Sequence, residues 1–190
     1  MWHLFPSHPA VCVEAGGAAR TGPAPAAVLP GSFNPLHHGH AALARAAAVH
    51  LGVEVHFELS VVNADKPELP RDEVDRRVAQ FAGVGPVWVT RTATFEAKAG
   101  LFPGAAFVLG WDTAVRVIDP KYYGGEAGRD AALRALAARG CKLVVGGRVD
   151  AAGTFRVWDG AAAGEFAGLF VALAEADFRA DVSSTDLRRK

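Results

Sequence analysis

From Ala26 onward the chain alternates between short apolar runs and longer stretches whose apolar positions recur at helical spacing. "AAVLPG" reads as a buried strand ended by Gly31, and "GHAALARAAAVHLG" as a helix closed by Gly52. "VEVHFELSVV", rich in β-branched and aromatic residues, predicts a second strand. "PRDEVDRRVAQFAG" predicts a second helix, with Pro70 and acidic residues at its start and Val74, Val78 and Phe81 along one side. "PVWVT", "TFEAKAGLF", "AAFVLG", "DTAVRVI", "EAGRDAALRALAARG" and "CKLVVGG" continue as strand, short helix, strand, short helix, helix capped by Gly140, and strand. Past Gly147 the pattern weakens: "TFRVWDG" reads as a strand, and "GEFAGLFVALAEADF" as helix, strand or one of each. Strands alternating with helices imply right-handed βαβ units, and so a single α/β domain over residues 26–190 with a doubly wound parallel sheet covered by helices on both faces. Residues 1–25, "GGAARTGPAPA" among them, show no clear period and predict an arm or linker. There is no internal repeat.

In a Rossmann-like sheet, ligands bind beyond the carboxyl ends of the strands, where loops lead into helix N-termini. "GSFNPLHHGH", Gly31 to His40, lies at the first such place. Gly31 lets the backbone turn out of the strand and lets a ligand come close, and Pro35 stiffens the loop. The helix starting near His38 to His40 directs its unpaired N–H groups and positive dipole end into the same space, which suits an anion. His37 and His40 are three apart, so within a first helical turn they lie on one side and converge on one group. Neither GxxxxGK[ST] nor a GxGxxG after the first strand is present, and "GGEAG" at Gly124 reads as a helix-entry turn. A metal site built on His37, His38 and His40 is the competing reading, although a catalytic zinc asks for three ligands in good geometry and adjacent histidines diverge.

Composition narrows the field. At 190 residues one well-buried domain is expected, and with 20 Lys+Arg against 20 Asp+Glu no global field draws the chain to nucleic acid or anionic lipid, so any phosphate binding is local. Cys12 and Cys141 are far apart with no CxxC, which predicts reduced thiols. No leader and no apolar segment of membrane-spanning length is evident, so a soluble, cytoplasmic protein without membrane or nucleic-acid partners is expected. A homo-oligomer stays open.

These residues carry a resemblance. "GSFNPLHHGH" is similar to the GxFxPxHxGH signature of the nucleotidylyltransferase superfamily, and "DVSSTDLR", Asp181 to Arg188, resembles its second signature, SSTxxR. The resemblance implies attack by an acceptor's phosphate on the α-phosphorus of a nucleoside triphosphate, with release of pyrophosphate. The dianionic phosphate needs no protein nucleophile, so the protein orients reactants and neutralises charge. His37 and His40 would then hold the triphosphate within a loop of Gly31, Gly39 and the backbone N–H groups near Ser32 and Phe33. Ser183, Ser184 and Thr185 would add hydroxyls and a second helix N-terminus, and Arg188 a catalytic guanidinium. Mg²⁺ would arrive bridging the phosphates, with no protein ligand evident.

Within the superfamily, SSTDLR and "GSFNP" are similar to nicotinamide and nicotinate mononucleotide adenylyltransferases, and the chain also resembles a cytidylyltransferase-like group opening "LPGSFNPLHxGH". The first likeness implies transfer of AMP from ATP to a pyridine mononucleotide. The alternatives are a cytidylyltransferase or phosphopantetheine adenylyltransferase relative with another phosphorylated small-molecule acceptor. "FVLGWDT" resembles the family's GxD strand end, placing Gly110 and Asp112 near the nucleotide, with an N-cap as the other reading of Asp112. "VVGGR" would put Arg148 beside the base or the phosphates. Lys66 is the candidate for the acceptor's phosphate, a solvated loop lysine being the alternative, and Trp88 and Trp111 are candidates to stack on its ring. The short tail after Arg188 departs from the family's full helix and would suit a nucleotide sensor that has lost turnover. A metal-dependent hydrolase built on the histidines is the remaining class.

Overall fold

A computed structural model describes residues 1–62, 67–150 and 153–179. Its strands are β1 (Ala10–Val13), β2 (Ala19–Arg20), β3 (Ala27–Pro30), β4 (Val55–Ser60), β5 (Val87–Thr90), β6 (Ala106–Gly110), β7 (Lys142–Gly146), β8 (Arg148–Val149), β9 (Phe155–Arg156) and β10 (Phe170–Ala172). The α-helices are α1 (His38–Leu51), α2 (Arg71–Val78), α3 (Phe95–Leu101), α4 (Trp111–Ile118) and α5 (Glu126–Ala138). The main sheet runs β10-β7-β6-β3-β4-β5-β1-β2. From β3 the chain steps outward through β4 and β5, then returns to the other flank of β3 with β6, β7 and β10, all parallel. That is the Rossmann-type order, with the crevice between β3 and β6 as its topological switch point.

Strand alternation sorts the core into two layers. Phe107 and Leu109 of β6, Leu143 and Val145 of β7 and Val28 of β3 face α3, α4 and α5, whose Ala99, Ala114, Val117, Leu133 and Leu136 complete that layer. Ala27, Leu29, Val55, Phe57, Leu59, Val108 and Val144 face the other way, onto Leu43, Ala44 and Ala47 of α1 and Val74 of α2. Both faces of the central strands are therefore apolar, which is why their sequences read as continuous hydrophobic runs. Helix α1 stops where expected: Gly52 takes φ 68° and its N–H returns to the Ala48 carbonyl at 2.9 Å.

One polar island interrupts the α3-facing layer. Glu58, almost wholly buried, accepts from Lys98 Nζ at 2.6 Å and from Thr90 Oγ1 at 2.5 Å, and Lys98 also donates to the Thr92 carbonyl at 2.9 Å. A buried ion pair of this kind is tolerable because its members are also hydrogen-bonded, and truncating one partner would strand the other charge. Both cysteines are buried and unpaired, and burial pushes the Cys12 thiol up to about 12.

The expected N-terminal arm is corrected: residues 10–20 belong to the sheet. β1 pairs antiparallel with β5 from Ala10↔Thr90 to Val13↔Val87, and β2 closes a hairpin back onto β1 through the turn at Gly17. Val11 and Cys12 are fully buried. A strand of four residues is too short to show a period, and the Gly- and Ala-rich turn beside it dilutes the signal further. Ahead of it, Trp2 Nε1 donates to both carboxylate oxygens of Asp75 on α2, at 2.8 and 3.0 Å, with the Arg71 guanidinium over its ring. The weak C-terminal region resolves as the β8–β9 hairpin, a 3-10 stretch over Ala161–Leu169, and β10.

Removing residues 1–20 uncovers the β5 edge and the apolar surface under Val11. Tm should fall by about 5 °C or more, with new self-association; an unchanged melting curve by calorimetry would make the segment a passenger.

Candidate functional site

The loop after β3 turns on glycine and phenylalanine together. A Cβ on Gly31 would stand 2.7 Å from the Phe33 ring, so that ring occupies the space over Gly31 which the sequence assigned to a ligand. Phe33 has φ 44° and is fully buried, edge-on to Phe57 at 5.7 Å, to Phe81 at 5.0 Å and to His40 at 5.0 Å between centroids. Its side chain is core. The Gly31 N–H is itself anchored on the Glu58 carbonyl at 2.9 Å.

Helix α2 grips the loop from outside. Arg77 Nη1 donates to the Ser32 carbonyl at 2.9 Å, Gln80 Nε2 to the Phe33 carbonyl at 3.0 Å, Gln80 Oε1 accepts the Leu36 N–H at 2.8 Å, and Arg76 Nη2 donates to Asn34 Oδ1 at 2.9 Å. Glu73 holds both arginines, and their hydrogen bonds, Arg76 first and then Arg77, lower its carboxyl to about 2. Sequence reasoning missed Arg76, Arg77 and Gln80. The available signal was a polar stripe, Glu73, Arg77 and Gln80 at i, i+4 and i+7, running beside the apolar stripe of Val74 and Phe81.

At the start of α1 the two imidazoles meet. The His37 and His40 rings stack with centroids 3.7 Å apart, and the His37 backbone N–H donates to His40 Nδ1 at 3.2 Å. That bond makes Nδ1 an acceptor, so neutral His40 carries its proton on Nε2 and offers one N–H. Burial, with a smaller contribution from His37, pushes the His40 imidazole down to about 4. Burial, then the neighbouring His38, also lowers His37, whose Nδ1 is buried with no hydrogen-bond partner among the described residues. His38 is exposed and its ring stands 6.2 Å from His37. Among the described residues no three His, Cys, Asp or Glu side chains come together as a metal cage. Gly39 is buried in the same first turn, where the His40 N–H already returns to the His37 carbonyl at 3.0 Å, and no backbone acceptor within the helix is in position for the His38 and Gly39 N–H groups. Neutral N–H donors around a helix N-terminus can bind phosphate oxygens without bringing full charges into the crevice.

Across the switch point, Gly110 ends β6 in register with Gly146 of β7 and serves as the N-cap of α4. A Cβ on Gly110 would meet nothing within 4 Å, so the space above it is open. The N-cap reading of Asp112 is corrected: Asp112 lies in the first turn of α4, exposed, and pairs with Arg148. Two of the residues named from the sequence are thus in direct contact. Trp88 is buried and donates to His56 Nδ1 at 3.0 Å, which removes it as a stacking platform. Trp111 is half-buried against Trp158 at the first position of α4, so of the two it alone keeps an open side. Lys66, Ser183, Ser184, Thr185 and Arg188 lie outside the described residues.

A doubly wound sheet that presents a histidine-bearing helix N-terminus at its switch point defines a nucleotide-phosphate-handling α/β domain. The chain belongs to the cytidylyltransferase-like family, whose model matches residues 28–190. It is a nucleotidyltransferase domain, and a nucleoside triphosphate is its substrate class. No curated protein matches the chain. No helix among the described residues is long and apolar enough to cross a membrane.

The depressed His40 value has a definite sign in stability. Between about pH 6.5 and about pH 4 the unfolded chain takes up a proton at His40 that the folded chain refuses, so stability falls as pH drops through that window and levels off below it. His40→Asn should flatten this fall in chemical denaturation series, and a wild-type His40 ring charged at pH 6 by NMR would contradict the geometry.

Proposed function

We propose that the protein transfers AMP from ATP to nicotinamide or nicotinate mononucleotide. The observation that carries it is the stacked His37–His40 pair at the N-terminus of α1, where the His37 N–H takes His40 Nδ1 and leaves the proton of the neutral ring on Nε2. The α-phosphate of the triphosphate would sit against these donors. An oxygen of the acceptor's phosphate attacks the α-phosphorus, a P–O bond forms, the bond to the bridging oxygen breaks, and pyrophosphate leaves with the electron pair. His40 supplies a hydrogen bond to the equatorial oxygens as they gain charge, and the helix end adds N–H donors in a site partly screened from water. Arg148 would exchange its exposed carboxylate partner for phosphate or base.

Mg²⁺ would come in with the triphosphate. It is a hard cation that takes phosphate and water oxygens and needs no dedicated protein cage, which fits a crevice lined by imidazole N–H and backbone donors. It would neutralise charge across the phosphates. Ser183, Ser184, Thr185 and Arg188 are proposed for the triphosphate on the strength of their motif, and Lys66 for the acceptor's phosphate from its place after the second strand. The family's own description favours CTP as the competing donor, with another phosphorylated acceptor.

The test is pyrophosphate release with ATP and CTP in parallel across a panel of phosphorylated acceptors. The expected outcome is turnover with ATP and a pyridine mononucleotide, reduced by about two orders of magnitude or more in His40→Ala and unaffected in His38→Ala. Turnover with CTP alone would replace the reading by cytidylyl transfer, triphosphate binding without turnover on any acceptor would replace it by a sensor, and dependence on zinc alone would replace it by a hydrolase. Arg148→Ala should weaken ATP binding by about tenfold while leaving Tm within about 1 °C, because an exposed ion pair contributes little to folding; calorimetric titration reads the first and a thermal melt the second.

A further inference from the structure

One side chain reaches both ends of the loop between Ser32 and Leu36. Gln80 Nε2 donates to the Phe33 carbonyl at 3.0 Å while its Oε1 accepts the Leu36 N–H at 2.8 Å. Those two bonds also settle the amide orientation, since the flipped group would set N–H against N–H and oxygen against oxygen. Gln80 sits in the 3-10 turn after α2 and also donates to the Arg77 carbonyl at 3.2 Å. Arg77, 8 % exposed, is locked by Glu73 and donates to the Ser32 carbonyl at 2.9 Å. The result is a rigid bracket whose reach covers the loop up to the residue before His37.

We propose that Gln80, seated by Arg77, is the positioning residue of the site, fixing the Phe33–Leu36 backbone and through it the approach of His37 to His40. It touches no reacting atom and acts only through the loop. The coupling is geometric. Holding Phe33 keeps its ring edge-on to His40, and holding Leu36 sets the neighbouring His37 N–H on His40 Nδ1. With both ends loose, the imidazole stack would open to water and its donors would lose their common direction. This inference rests on the reading of the loop as a triphosphate cradle, but its first readout does not.

The experiment compares Gln80→Leu, which keeps the bulk and removes all three hydrogen bonds, with Val74→Ala, which cuts a cavity under the same helix and leaves the bracket intact. Histidine NMR should show the His40 titration midpoint near 4 in the wild type and in Val74→Ala, and moved toward 6 in Gln80→Leu. ATP affinity by calorimetric titration should fall by about tenfold or more in Gln80→Leu, the scale of one or two lost hydrogen bonds to buried backbone, at a Tm no lower than that of Val74→Ala. If Gln80→Leu does not fold, Gln80→Glu is read the same way, since it keeps the acceptor for Leu36 and loses the donors to Phe33 and Arg77. Wild-type values in the Gln80 variant, or equal changes in Val74→Ala, overturn the proposal. A wild-type protein that binds no nucleoside triphosphate refutes the proposed function instead, and the His40 midpoint then decides the positioning role alone.

Discussion

The ring of Phe33 folded back over Gly31 is the constraint on which the site depends. It turns the chain at the carboxyl end of β3 and plugs the top of the layer formed by Phe57 and Phe81. It also walls one side of His40. Any side chain at position 31 collides with it, so glycine is required there by packing rather than by backbone freedom. Because the ring belongs to the core, the loop inherits core rigidity. The functional groups next to it are positioned by the same burial that stabilises the fold.

That arrangement shows how, in the proposed function, two histidines would serve an anion without being cations. Burial lowers both imidazoles, and the backbone N–H of one fixes the tautomer of the other, so the donor is a preset neutral dipole. A preset neutral donor in a partly desolvated crevice costs no reorganisation when charge develops, and it does not trap the ground state as tightly as a fixed cation would.

The parallel sheet and its helices were legible because each strand is buried on both faces and each helix shows one apolar stripe; β3, α1, β6 and α5 follow directly from that contrast. The pairing of His37 with His40 followed from their spacing. What stayed hidden depends on contacts distant in sequence. Gln80 reaches Leu36 across 44 positions and Lys98 reaches Glu58 across 40, partnerships that only the strand order creates. The space over Gly31 was misread for a local reason, since nothing in "GSFNP" announces a positive φ at a phenylalanine that folds its ring back over the glycine. Asp112 was half-read: its strand-end position is real, but Gly110 takes the cap and leaves the carboxylate to Arg148.

The balance of charge gives the last step. With equal numbers of acidic and basic residues, the protein offers no long-range attraction to a triphosphate, and the arginines flanking the loop are committed to Glu73. Among the described residues Arg148, just past β7, is a cation held by Asp112 at the start of α4 in a pair exposed to water. Such a pair is weak, so a phosphate can take the guanidinium at little cost, and the released Asp112 carboxylate is left in solvent rather than stranded in the interior. Arg77 could not be exchanged in this way, because it is buried and its loss would unseat the backbone it holds. A buried, rigid cation, Arg77, therefore shapes the loop, while a loosely paired one, Arg148, is the residue proposed to meet an anionic ligand.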